Sequence, residues 1–171
     1  MFKGTYRHRI DAKGRLPIPA VFRRALGGEG RVVVTQLDQC LAVYSPLEWG
    51  KLEGQLAAQP SFSKPVKALT RLLASRAADC ELDVQGRILL PHALRTAAGL
   101  ARDAVVIGVL NRFEVWAPEA WEGFVRESER LLDDASLDIQ WPLPPAPPTG
   151  ASGPPSGAPS GTRDPQANSN G

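Results

Sequence analysis

Residues able to do chemistry are scarce in this chain. It has two histidines, His8 and His92, and two cysteines, Cys40 and Cys80, each standing alone. Without a CxxC pair or a Cys/His cluster there is no zinc spacing and no disulfide framework, and two lone thiols suit a reducing compartment. No Gly-rich phosphate loop or Ser/His/Asp arrangement occurs. No run approaches the roughly 20 apolar residues that span a bilayer, and Met1 to Arg7 reaches no apolar stretch of the kind a signal peptide needs. These absences argue against an enzyme, a metal, a cofactor, a small-molecule ligand or a membrane partner. The expected location is the cytoplasm.

Large apolar side chains are also missing from one end. From Pro142 to Gly171 the only one is Leu143, and nine of the chain's 16 prolines lie there among Gly, Ser and Ala. Such a segment cannot bury enough apolar surface to offset its ordering entropy, so residues 141–171 read as a disordered tail. The folded part is then roughly residues 1 to 140, the size of one domain.

What is present is a repeat. At an offset of 72 residues, Asp11-Ala12-Lys13-Gly14-Arg15 returns as Asp83-Val84-Gln85-Gly86-Arg87. The same offset carries Pro19 onto Pro91, Arg23 onto Arg95, Val33-Val34 onto Val105-Val106, Tyr44 onto Trp116 and Trp49 onto Trp121. Turn, core and helix-start residues all keep phase, which marks structural duplication. Each copy is too small for a good core, so the two should pack as one pseudo-symmetric domain. Residues 1–62 make the first repeat, 63–76 a connector helix and 77–140 the second repeat.

Within the first copy, Thr5 to Ile10 alternates Tyr6, His8 and Ile10 against Thr5, Arg7 and Arg9, which reads as a half-buried strand. Lys13-Gly14 supplies a turn and Leu16 to Pro19 a return strand, so residues 5–19 are expected to form a hairpin. A short helix from Pro19 or Ala20 to Leu26 should bury Val21, Phe22, Ala25 and Leu26, with Gly27 as its C-terminal cap. Arg31–Gln36 and Leu41–Tyr44 make a second hairpin. Ser45-Pro46-Leu47-Glu48 is a capping box that starts a helix towards Ala58. Lys64 to Arg76 has helical spacing, and the second copy repeats the plan, ending in a helix to about Leu132. His8 reads as a core or edge residue, and Trp49, Trp116 and Trp121 as packing residues.

The copies differ in charge. Residues 1–24 carry Lys3, Arg7, Arg9, Lys13, Arg15, Arg23 and Arg24 against Asp11 alone, a net of +6, while residues 73–96 sum to zero. Arg7 and Arg9 correspond to Asp79 and Glu81, Lys13 to Gln85, and Arg24 to Thr96. A cationic cluster on a nearly neutral chain is an electrostatic footprint for a polyanion, and a basic β-ribbon suits the DNA major groove. The first copy is therefore expected to meet double-stranded DNA and the second not. Asp11 and Asp83 should organise their turns and pair with Arg15 and Arg87, and Arg15 can in addition reach phosphate or guanine.

Met1-Phe2-x-Gly4, the doubled Asp-x-x-x-Arg, and the runs Gly14-Arg15-Leu16-x-Ile18-Pro19 and Gly86-Arg87-Ile88-x-Leu90-Pro91 resemble the MraZ family of bacterial transcriptional regulators. The resemblance covers roughly residues 1 to 135. It implies an AbrB/SpoVT-type fold: an α+β, mainly β, double-split β-barrel built from two AbrB-like repeats with flanking helices. It also implies ring homo-oligomers at the nucleoid, binding tandem short repeats in the promoter of the division and cell-wall gene cluster and usually repressing it. By position, Asp11, Gly14 and Arg15 match the first turn motif, and Asp83, Gly86 and Arg87 the second. DNA contacts would fall on Lys3, Arg7, Arg9, Lys13 and Arg15, to which the charge comparison adds Arg24. The rivals are a ring-forming protein-interaction module without specific DNA binding, and an antitoxin gripping a toxin with its tail.

Overall fold

A computed structural model of the chain describes residues 1–60 and 63–133; the expected tail at 141–171 and the last residues of the second repeat lie outside these. The fold is α+β, with a mainly antiparallel sheet. In order, the elements are β1 (Thr5–Arg9), β2 (Arg15–Pro17), α1 (Ala20–Ala25), β3 (Arg31–Leu37), β4 (Cys40–Tyr44), α2 (Pro46–Ala57) and α3 (Lys64–Ser75). The second copy follows with β5 (Ala78–Glu81), β6 (Arg87–Leu89), α4 (His92–Ala97), β7 (Asp103–Val109), β8 (Arg112–Trp116) and α5 (Pro118–Asp133).

The strands form a six-stranded sheet of order β1-β7-β8-β4-β3-β5 and a separate ladder of β2 with β6. Residues 5–19 are thus not a hairpin. The turn at Asp11–Arg15 is closed by Asp11 N donating to Arg15 O (3.0 Å), but its two strands then part company. β1 pairs with β7, Arg7 opposite Val105, and β2 pairs with β6, Leu16 opposite Ile88. The second copy returns the exchange, since β5 pairs with β3 of the first. The reason is in the core. Leu16 and Ile88, both fully buried, meet across the β2–β6 ladder, and a local hairpin would leave each half with only its own apolar face to cover.

Between the copies, one core collects Val32, Val34, Leu41 and Val43 with Val106, Phe113 and Val115. Phe2, Phe22 and Phe113 meet with ring centroids 5.3–5.4 Å apart, so the start of the chain and α1 are tied to the second copy's strands. Truncating one such ring costs about 3–5 kcal/mol. In α1, Phe22 and the following Leu26 are buried, but Val21 and Ala25 are exposed, because six residues allow a single inward stripe. The Ser45 hydroxyl caps α2 by accepting from Glu48 N (3.2 Å), and Pro46 sits in its first turn. Gly108 lies under the entering chain, where a Cβ would collide with the backbone of Phe2 and Lys3.

Candidate nucleic-acid interface

The two Asp-x-x-x-Arg turns are built alike. Asp11 Oδ1 accepts from Lys13 N (3.0 Å) and Arg15 N (2.9 Å), and Oδ2 accepts from Arg15 Nε (2.6 Å). Asp83 Oδ1 accepts from Gln85 N (2.9 Å) and Arg87 N (3.0 Å), and Oδ2 from Arg87 Nε (2.8 Å). The spacing is forced: a short carboxylate two and four residues upstream can bond both amides of a turn whose fourth residue, Gly14 (φ 86°) or Gly86 (φ 74°), is left-handed. Bonds to the charged form hold both carboxyls below their ordinary range, led by the Arg15 amide for Asp11 and by the Arg87 guanidinium for Asp83.

The turns lie against each other because the copies exchange strands. Leu90 N donates to Gly14 O (3.0 Å) and Ile18 N to Gly86 O (2.9 Å). Arg95 of α4 covers Gly14, where a Cβ would stand 3.0 Å from its guanidinium, and Arg23 of α1 packs on Gly86. Arg95 Nε also donates to Leu90 O (3.3 Å), and Arg23 Nη1 reaches Gln85 O (3.5 Å). Each copy thus lays an arginine over the other copy's turn. The site expected from sequence omits Arg23 and Arg95, although their shared phase at the 72-residue offset was a signal that could have found them.

Near-symmetry breaks at the guanidinium groups. Arg87 engages Nε and Nη2 with Asp83, and its Nη1 lies 3.8 Å from Asp11 Oδ2. Arg15 pairs with Asp11 alone, closest through Nε, and among the described residues no ion pair joins it to Asp83. Both side chains are partly exposed, at 33% and 22%. Lys13, Arg15 and Arg87 belong to the two turns and Arg23 and Arg95 pack on them, against the turn carboxylates Asp11 and Asp83.

The other expected contacts separate into groups. Arg7 and Arg9 point off β1 on the α5 side, exposed but partnered: Arg9 Nε donates to Asp103 (3.2 Å), and Arg7 Nη2 lies 3.6 Å from Glu122. The opposed strands account for much of the charge reversal. Arg9 faces Asp103 across β1–β7, while Glu81, its counterpart, faces Arg31 across β5–β3. Lys3 is exposed at the far end of β1, about 30 Å of extended chain from Lys13, so the two do not share one tip. Arg24 is exposed on α1, beside Arg23 and Gly28. Lys3, Lys13 and Arg24 form no ion pair among the described residues. His8 is half-buried against Ala104, and burial lowers its pKa.

This doubled turn is matched twice by one family model, "MraZ protein, putative antitoxin-like", over residues 1–72 and 73–138. The chain belongs to the MraZ family. The chain is similar along most of its length to three proteins named Transcriptional regulator MraZ. That of Ligilactobacillus salivarius is 48% identical over 139 residues, covering 81% of this chain and 96% of the relative. That of Natranaerobius thermophilus is 41% identical over the same shares. The Halothermothrix orenii MraZ is 42% identical over 82% of this chain and 97% of the relative.

Proposed function

We propose that this chain is a sequence-specific DNA-binding transcriptional regulator that reads double-stranded DNA through its paired turns, with the first turn in the lead. The observation that carries this reading is the difference between Arg15 and Arg87. A guanidinium paired with a single carboxylate can present its fork to guanine O6/N7 or to a phosphate by giving up one partner, whereas one already spread over two carboxylates must give up both. Lys13 at the tip supplies phosphate attraction, Arg24 and Lys3 add peripheral charge, and Arg7 and Arg9 contribute after exchanging or sharing their acidic partners. Residues 1–62 take the DNA-facing role and 77–140 the supporting one. The two repeats are read as half-barrels of a double-split barrel, and the copies of the chain as members of a ring.

The family supports the further reading that the regulator works in the cytoplasm at the nucleoid. There it represses a promoter region holding tandem short elements, its own included. One turn offers a few phosphate contacts and one or two base contacts, each good pair worth about 1–3 kcal/mol. Linking several turns on tandem elements multiplies affinity by about 10²–10⁴ through effective concentration. The test is anisotropy on duplexes from upstream of the chain's own gene, with one and three elements, across a salt series. Tighter binding to three elements, with affinity falling about 0.9 log units per log of salt for each phosphate neutralised, is expected. Absence of binding at low salt would overturn the DNA reading in favour of a protein partner.

A further inference from the structure

The β2–β6 ladder has an inner and an outer face. Leu16 and Ile88 are fully buried on the inner one, and Leu90 follows them into the core. Alternation along the two strands puts Arg15, Pro17, Arg87 and Leu89 on the outer face. Three of these side chains are partly covered, but Leu89 is 58% exposed and takes no part in the core.

The register says what this leucine stands beside. Leu89 lies opposite Arg15, and Pro17 lies opposite Arg87. Leu90 N donates to Gly14 O and Ile18 N to Gly86 O, so in the antiparallel alternation the 15/89 and 17/87 pairs are the non-hydrogen-bonded ones. In such pairs the Cα atoms are about 4.5 Å apart and the side chains are at their closest. The two pairs are equivalent under the repeat, since positions 15 and 17 correspond to 87 and 89. Their contents differ. The arginine that pairs with one carboxylate has a bare leucine beside it, whereas the arginine shared between two carboxylates has a half-buried proline.

An arginine next to an exposed leucine suits the DNA major groove. There an arginine fork reads guanine through O6 and N7, and the apolar group on offer is the C5-methyl of thymine. Successive base pairs are about 3.4 Å apart along the axis. A leucine about 4.5 Å from Arg15 is therefore at the spacing of a neighbouring base pair.

We propose that Leu89, a residue of the second copy, reads the C5-methyl of a thymine adjoining the base pair that Arg15 contacts. Leu89 thus deepens the DNA-binding function proposed above, on which this role rests, by adding a specificity-determining residue. The reading face becomes composite: its polar half comes from the first copy and its apolar half from the second, brought together by strand exchange.

Replacing a thymine by deoxyuridine removes the methyl and leaves every hydrogen-bonding group of the base pair in place. A duplex from upstream of the chain's own gene is scanned in this way, one thymine at a time, with binding followed by anisotropy. Wild-type protein should lose about fourfold in affinity at one thymine per element, the effect of no longer burying one methyl group. Leu89→Ala should bind the unmodified duplex more weakly by a similar factor and show no further loss when that thymine is replaced. Leu89→Met, which restores an apolar end, should regain the sensitivity. A merely loosened ladder would lower the affinity of Leu89→Ala for both duplexes alike, so the thymine penalty decides and not the affinity. A scan with no sensitive thymine, or a penalty that survives in Leu89→Ala, would overturn this role for Leu89 and leave DNA binding itself standing. No binding to any duplex at low salt would remove both.

Discussion

The first and second turns are the same object used differently. Both have an aspartate holding two amides and an arginine Nε, a left-handed glycine, and an arginine from the other copy laid on that glycine. In the second turn the guanidinium is shared between two carboxylates; in the first it pairs with one. At the tips Lys13 stands where the other turn has Gln85. Duplication has therefore supplied one turn that braces and one that can reach out, and the comparison shows how little has to change. On the proposed function, one shared carboxylate and one lysine separate a bracing turn from a DNA-reading one.

The first way to sharpen this comparison lies where the copies differ most in backbone. Gly108 is beneath Phe2 and Lys3, whereas its counterpart in the first copy is Gln36, whose side chain donates to Ala97 O (3.4 Å). Gly108→Ala is expected to destabilise the protein by about 3 kcal/mol, since the clash is with backbone and not with a movable side chain. Gln36→Ala should change it by less than about 0.5 kcal/mol. Urea unfolding of both decides it, and equal effects would break the asymmetry.

Arg15→Ala comes next, expected to weaken DNA binding by roughly 10- to 100-fold, the loss of one bidentate contact at about 1–3 kcal/mol. Arg87→Ala should change single-element affinity less and thermal stability more. Parallel anisotropy and melting curves test the pair, and identical profiles for the two variants would collapse the division of labour. A smaller effect is expected from Lys13→Gln, which makes the first tip resemble the second. It should lower the salt slope of binding by about 0.9 and weaken affinity similarly for all sequences.

The smallest effect is on acid stability. The folded-state pKa values of Asp11 and Asp83 lie below their ordinary 3.8, so these groups bind fewer protons when folded. Their contribution is complete above about pH 4 and is lost as pH falls through the lowered values. Asp11→Asn should flatten the dependence of melting temperature on pH below 4 and leave its shape between pH 6 and 8 alone. An unchanged acid limb in both Asp11→Asn and Asp83→Asn would remove the turn carboxylates from the balance.

Much of the layout was legible before any coordinates. The 72-residue phase, the turns at Gly14 and Gly86, the capped helix after Ser45 and the second hairpin, β3–β4, are local patterns, and local patterns are what periodicity reads. The strand exchange was not legible. Thr5–Arg9 and Arg15–Pro17 look the same whether they pair with each other or with strands far along the chain. What decides is the burial of Leu16 against Ile88, a contact 72 residues long. The candidate site inherited that blindness. Arg7 and Arg9 read as cations awaiting a polyanion because Asp103 and Glu122, which partner them, are brought near only by β1 joining the second copy. The arginines clasped over the opposite turns were hidden for the same reason.

Strand exchange also has a consequence in time. β1 leaves the ribosome well before its partner β7, which is made about a hundred residues later. At about 5–20 residues per second the first strand waits roughly 5–20 s, carrying Tyr6 and an unpaired edge, before anything can complete it. A nascent chain stalled before Asp103 should therefore be protease-sensitive at β1. The young molecule is most vulnerable at the strand that waits longest for its partner.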